Sequence, residues 1–335
     1  MTTLKNKYTI GCHVMFYEIE MYKEYVDGLI NLIETVENKE NIYIDLCFNI
    51  SEYFEKISDE ITIKQIKSKC TNGVKKLKSI GIPNENLKHY FKTNDDEIYN
   101  IASYRRDLNY NYCTKSDFIM WGETDSFFPR EAFKVLETIK EVGAKNNIHK
   151  YILNFADRKM WDSSWDCTVH TNYEHLPCDK MTHEDLNYAK SPLPLEKMNE
   201  INSNVKDFDI RAMNRPQIDG SCLVISSDLI KSGVNLPHSL LLYGDDTSIG
   251  SMAQAIMKDK FIQFTVKNIL KVHARRHPRK RLYISGEDNP NGFCGDAKGD
   301  WSIKLDEFSK HNLHNLLGSQ NKFLTFKDLF SAIKS

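Results

Sequence analysis

The feature that most constrains this chain is the regular alternation of short apolar runs with longer segments of helical period between Tyr8 and Phe155. Tyr8 to Phe16 (YTIGCHVMF) alternates in a strand-like way and is rich in β-branched and aromatic residues. Glu18 to Glu37 then carries apolar residues at helical spacing. Ile42 to Phe48 (IYIDLCF) predicts a second strand, and a charged segment from Glu60 to Ile80 predicts a helix interrupted near Thr71-Asn72-Gly73. His89-Tyr90-Phe91 is a short third strand, Asp95 to Cys113 a third helix, and Asp117 to Trp121 a further strand. Strands alternating with helices in this rhythm point to an α/β fold, a mostly parallel central sheet flanked by helices and joined by right-handed crossovers.

Such sheets bind ligands beyond the carboxyl ends of their strands. The apolar run Phe118-Ile119-Met120 delivers Trp121-Gly122-Glu123-Thr124-Asp125-Ser126 to such an end. Alternation along an extended chain would aim Glu123 and Asp125 the same way. Two hard carboxylates can then share one Mg²⁺ or Mn²⁺ beside a substrate phosphate. Taken alone, the same residues also make a polar turn after a core strand.

Farther along, a helix follows Pro129 to about Val142, and Lys150 to Phe155 predicts a strand. Between Asp157 and Pro216 the periodicity fades, over a length too great for an idle connection. Asp219 to Ser226 predicts another strand with a short helix after it, and Leu240 to Asp246 introduces a helix through about Met257. Phe261 to Val266 and Ile269 to His273 are two more strand candidates, ahead of the basic run Arg275 to Arg281.

Several polar groups stand out on this frame. Asp95 and the Arg105-Arg106 pair lie just upstream of the acids, where a guanidinium can reach a phosphate or simply face solvent. Gly244-Asp245-Asp246 puts two carboxylates at a helix start, as caps or as a general base. His273 ends a strand and can complete a metal shell, while Arg275, Arg276 and Arg279 can neutralise a pyrophosphate.

Taken in order, these elements resemble the GT-A class of nucleotide-sugar glycosyltransferases. Tyr104-Arg105-Arg106-Asp107-Leu108-Asn109 is similar to that class's Arg-Asn-x-Gly helix, and Ser116 to Asp125 to its strand and D-x-D metal motif. Asp219-Gly220-Ser221-Cys222, Gly244-Asp245-Asp246 and His273 follow, the last two like the acceptor base and the third metal ligand. Glu123 stands where the first Asp of D-x-D is usual, Asp107 and Asn109 where Asn and Gly are usual, and Gly11 to Tyr17 lacks the usual Thr-x-Tyr-Asn. The resemblance implies a Rossmann-like half over residues 1–130 that binds the nucleotide sugar and an acceptor and catalytic half over residues 131–285. Residues 286–335 follow as a C-terminal extension with a terminal helix from Thr325 to Lys334. It further implies Mn²⁺ or Mg²⁺ held by Glu123, Asp125 and His273, a donor such as a UDP-sugar held by Asp95, Arg105, Arg106, Glu123, Arg275, Arg276 and Arg279, and catalysis by Asp246 with Asp245. The expected reaction is hexosyl transfer to a hydroxyl with inversion; both stereochemical outcomes occur in this class. A nucleotidyltransferase and a noncatalytic nucleotide-sugar-binding protein are the competing readings of the same sheet.

The acceptor is expected to contact Trp161, Trp165, Tyr173 and Gly220, the aromatics by stacking on a sugar or a flipped base. It is either a glycan or a hydroxymethylated DNA base, the latter by resemblance to some viral enzymes. A chain rich in Lys, Asn and Ile, the residues of A/T-rich codons, is compatible with a viral source. His170, His175, Cys178 and His183 lie close enough in sequence to suggest zinc, although their spacing fits no common site. The formal net charge of -1 points to no partner class. No apolar run is long enough to span a bilayer, and eight scattered cysteines without C-x-x-C suggest reduced thiols; a cytoplasmic protein is expected.

Overall fold

The computed structural model describes residues 1–15, 18–50, 63–92, 99–158, 163–175, 193–213, 217–238, 240 and 244–273. Its centre is an eight-stranded sheet in the order β3-β2-β1-β4-β8-β6-β9-β7. The strands are β1 (Tyr8–Met15), β2 (Ile42–Asn49), β3 (Leu87–Lys92), β4 (Phe118–Gly122), β6 (Tyr151–Ala156), β7 (Ile210–Ala212), β8 (Leu223–Ser226) and β9 (Ile262–Leu270). Pairings β1–β2, β1–β4, β2–β3 and β6–β9 are parallel, whereas β8 runs antiparallel between β4 and β6, and β7 is antiparallel on β9. The expected α/β architecture with a mostly parallel sheet is thus observed.

Both faces of the sheet are covered, which is why its inner strands are almost wholly apolar. Helices α1 (Tyr22–Ile33), α2 (Ile63–Ser79) and α4 (Ala132–Lys145) bury their apolar stripes on one face, with Phe118, Met120, Leu153 and Val224 beneath them. Helices α3 (Ile101–Tyr112), α6 (Ser227–Lys231) and α7 (Asp245–Met257) cover the other face, over Ile119, Trp121, Ile152, Leu223 and Ile225. The period of two along β4 and β8 therefore assigns alternate residues to two different cores.

The structure departs from the sequence reading in several places, each with a local cause. Helix α2 runs unbroken through Thr71-Asn72-Gly73, because Gly73 is where Tyr22 of α1 approaches; a Cβ there would lie 2.5 Å from its ring. Helix α3 starts at Ile101, where Asn100 caps it by accepting from the Ser103 amide. Phe261 to Val266 and Ile269 to His273 are not two strands of that length. Strand β9 continues from Ile262 to Leu270, and a separate short strand, β10 (Val272–His273), leaves the main sheet. The weakly periodic stretch after Asp157 contains helix α5 (Leu195–Ser203) and strand β7. Asp219 to Cys222 is a turn ahead of β8, with Cys222 at φ 53°. Residues 286–335, including the expected terminal helix, lie outside the described residues.

Among the described residues no helix is long and apolar enough to cross a membrane. Cys12, Cys47, Cys70, Cys113, Cys167 and Cys222 are all free thiols.

Candidate active site

The antiparallel insertion of β8 builds the site. Trp121 near the carboxyl end of β4 pairs with Leu223 at the start of β8, so the turn from Asp219 to Cys222 sits against Glu123. Strand β6 ends at Ala156, paired with Leu270 of β9, which brings Asp157 and Lys271 to the same rim. A two-residue strand, β5 (Ser126–Phe127), then pairs with β10, placing His273 opposite Ser126.

Glu123 and Asp125 are brought together by a turn, not by extended alternation. The Glu123 carbonyl accepts from the Ser126 amide at 3.0 Å, and Ser126 Oγ lies 3.3 Å from the Glu123 amide. Across from this turn, His273 Nε2 lies 3.4 Å from Glu123 Oε2 and 3.9 Å from Asp125 Oδ1. One ligand atom from each of the three residues falls within 4.8 Å of the others. Two carboxylates and an imidazole at this spacing suit a divalent ion that accepts both oxygen and nitrogen, such as Mn²⁺. The donor set fits the expected metal.

Arg105 is the central cation of the rim. From α3 it donates to Glu123 Oε1 at 2.7 Å, to the Gly220 carbonyl at 3.0 Å, and to Asp245 Oδ2. Its guanidinium lies 4.6 Å over the Trp121 ring, whose Nε1 donates to Asn109 Oδ1 at 3.0 Å. Burial works against the charge, but Asp245 and Glu123 outweigh it and hold the proton more tightly than usual. A Cβ on Gly220 would meet Arg105 Nη1 at 2.7 Å, so a side chain there would have to displace the guanidinium. Arg106 points elsewhere, with Nη1 3.4 Å from the Pro237 carbonyl.

The two acids that open α7 have different surroundings. Asp245 is buried and committed to Arg105. Asp246 is partly exposed; its Oδ2 accepts from the Gly220 amide at 3.2 Å and its Oδ1 from the Thr247 amide at 2.6 Å. Burial, then the nearby charges of Asp245 and Asp219, push its carboxyl up to about 7. Gly244 before them takes φ 84°, the left-handed conformation that lets the chain turn into the helix there.

Behind His273 lies a layer the motifs did not single out as functional. Lys271, 1% exposed, donates to Asp219 Oδ2 at 3.0 Å and to the carbonyl and hydroxyl of Ser221 at 2.7 and 2.8 Å. Asp219 Oδ2 is also 3.4 Å from His273 Nδ1. Asp157 lies in the same layer; burial raises its carboxyl, and Lys271 acts in the opposite direction. The available signal was a lysine at an inward position of the apolar run Ile269 to His273.

Of the other expected residues, Trp165 lies in a 3-10 segment after β6, and Tyr173 packs on His170 with ring centroids 5.8 Å apart. That segment hydrogen-bonds both sides of Asp157, through the Thr168 carbonyl and the His170 amide. His170 is buried, and its Nδ1 accepts from the Asn172 amide at 3.2 Å. Among the described residues, neither His170 nor His175 belongs to a group able to hold a metal. Asp95, Trp161, Cys178, His183, Arg275, Arg276 and Arg279 lie outside the described residues.

No protein-family model and no curated protein matches the sequence. Among solved structures, the chain is similar to the mannosyltransferase PcManGT of Pyrobaculum calidifontis in complex with GDP-Man and Mn²⁺, at 10% identity and a TM-score of 0.45, over 92% of this chain and 68% of that one. It is similar to TarS 1-349 of S. aureus at 12% identity and a TM-score of 0.40, over 83% of this chain and 63% of that one, and so spans less than two thirds of that structure. A mycobacterial protein matches at 7% identity and a TM-score of 0.40, over 84% and 73% of the two chains. At TM-scores below 0.5 these likenesses carry no weight in assigning the site, which rests on the residues of this chain.

Proposed function

We propose that the chain is a metal-dependent glycosyltransferase that moves a sugar from a nucleotide-sugar donor to an acceptor hydroxyl with inversion. The observation that carries this reading is the convergence of two groups on one rim. Glu123, Asp125 and His273 form a ligand set, and across Arg105 and Gly220 lies Asp246, with a carboxyl pushed up to about 7.

In this account Glu123, Asp125 and His273 hold Mn²⁺ or Mg²⁺, which when bound neutralises charge on the leaving diphosphate. Asp246 takes the proton of the acceptor hydroxyl as that oxygen bonds to the anomeric carbon. The electron pair of the broken carbon–oxygen bond leaves with the nucleoside diphosphate. A group with an affinity near neutrality is well matched to this task. Asp245, tied to Arg105, serves position instead of proton transfer. Arg105 spends its donors on Glu123, Asp245 and Gly220, which suits it to tying the metal turn to the base-bearing helix more than to gripping a phosphate.

The Trp165 and Tyr173 segment, bonded to Asp157, flanks the rim and is the proposed acceptor side, for a glycan or a hydroxymethylated DNA base. The test is a screen of nucleotide sugars with Mn²⁺ that reads donor hydrolysis and transfer. Asp125→Ala is expected to abolish both, and Asp246→Ala to lower transfer by about 10² to 10⁴-fold while sparing donor binding. Near wild-type turnover in Asp125→Ala contradicts the assignment.

A further inference from the structure

Two overlapping ligand sets share His273. Besides Glu123 and Asp125, its ring stands with Asp157 and Asp219, whose ligand atoms also fall within 4.8 Å of one another. Both aspartates are buried, at 6% and 3% exposure, and a pair of buried carboxylates beside an imidazole attracts a cation. The chain already supplies one in Lys271. Its three ammonium hydrogens are matched by Asp219 Oδ2, the Ser221 carbonyl and the Ser221 hydroxyl. Asp219 is held on its other oxygen as well, with Oδ1 accepting from the Ser221 amide at 3.1 Å. The carboxylate is thereby fixed with Oδ2 turned toward His273 Nδ1.

We infer that Lys271 is a built-in cation occupying the place beside His273 where the carboxylates of Asp157 and Asp219 would otherwise draw a second divalent ion, and that through Asp219 it positions His273 with Nε2 facing Glu123 and Asp125. The inference rests on the proposed metal role of Glu123, Asp125 and His273. Two physical points support it. A carboxylate on one imidazole nitrogen fixes the tautomer and ring orientation, leaving the other nitrogen for the metal. Charge favours it as well: the buried Lys271 ammonium pairs with Asp219 Oδ2 at 3.0 Å, and its charge also favours the ionised form of the buried Asp157. Lys271 is a positioning residue, since its ammonium contacts only protein groups.

Mn²⁺ titration of the whole protein, followed by the electron paramagnetic resonance signal of free Mn²⁺, tests this without any turnover. Wild type and Lys271→Arg are expected to bind one Mn²⁺ per chain. Lys271→Met is expected to bind two, and Lys271→Met with Asp157→Asn one again. If Lys271→Met is unfolded alone, added Mn²⁺ is expected to restore its circular dichroism, and failure to do so overturns the inference. Asp219→Asn, which keeps Glu123, Asp125 and His273, is expected to weaken Mn²⁺ binding about 10- to 100-fold. One Mn²⁺ in wild type with one in a folded Lys271→Met, or unchanged affinity in Asp219→Asn, overturns the inference and leaves the metal site standing. No Mn²⁺ bound by wild type overturns both.

Discussion

Asp246 sets the pH at which the proposed chemistry switches on. Its carboxyl lies at about 7, against an ordinary value of 3.8. As a base it acts only when deprotonated, so kcat/KM is expected to be high above pH 7 and to fall tenfold per unit as pH drops below it. Stability has the opposite sign. Because the folded value is raised, the native state holds a proton that the unfolded chain has released between about pH 4 and pH 7, and this contribution to stability is lost as pH rises through 7. Asp246→Asn is therefore expected to remove the acidic limb along with the activity, and to unfold at a higher temperature than wild type at pH 8. A lower midpoint for Asp246→Asn at pH 8 would count against the raised affinity. At this scale the sequence exposed the acids but not their division of labour. The resemblance singles out Asp246 as the base, but nothing within Gly244-Asp245-Asp246 tells the two carboxylates apart; their partners do, Arg105 for Asp245 and the Gly220 and Thr247 amides for Asp246. Lys271 was hidden for a related reason: inside an apolar run a lysine gives no hint of its partner 52 residues away.

Among the elements, the close approach of α1 to β4 decides where the turn from Glu123 to Ser126, the proposed metal turn, sits. A Cβ on Gly122 would lie 2.1 Å from the Tyr25 hydroxyl and 3.1 Å from the Gly11 carbonyl. Gly122→Ala is expected to cost about 1–3 kcal/mol in urea denaturation, as overpacking does, and to displace Glu123 one residue away. Tyr25→Phe in the same chain removes the nearest atom, so a double-mutant cycle should show partial recovery. Additive losses would show that the two residues do not meet. The elements themselves were largely legible, because β1, β2, β4 and β6 are rich in apolar, β-branched and aromatic residues with at most isolated polar ones among them. Strand β7 and helix α5 were not: β7 is three residues of intermediate or full exposure, and α5 buries only Met198 and Asn202. Gly73 misled in the other direction, its small size answering Tyr22 of a neighbouring helix and not a break in its own.

On the scale of the molecule, the site exists because the sheet reverses direction at β8. That one antiparallel strand sets the turn from Asp219 to Cys222 beside the carboxyl end of β4, and the β5–β10 pair returns His273 to Glu123 and Asp125. Local periodicity carries no record of a pairing between strands roughly 145 residues apart, so the sequence offered His273 as a ligand from its strand end and from the resemblance, but not the β5–β10 pairing that brings it to 3.4 Å from Glu123. The central claim is that these three residues hold a divalent ion on which a nucleoside diphosphate rests. Calorimetric titration of UDP and GDP into the protein, with Mn²⁺ and with EDTA, measures that most directly. Binding of at least one nucleotide is expected with Mn²⁺, with that binding lost in EDTA and lost in Asp125→Asn even with Mn²⁺. Equal affinity with Mn²⁺ and EDTA, or full affinity in Asp125→Asn, would contradict it.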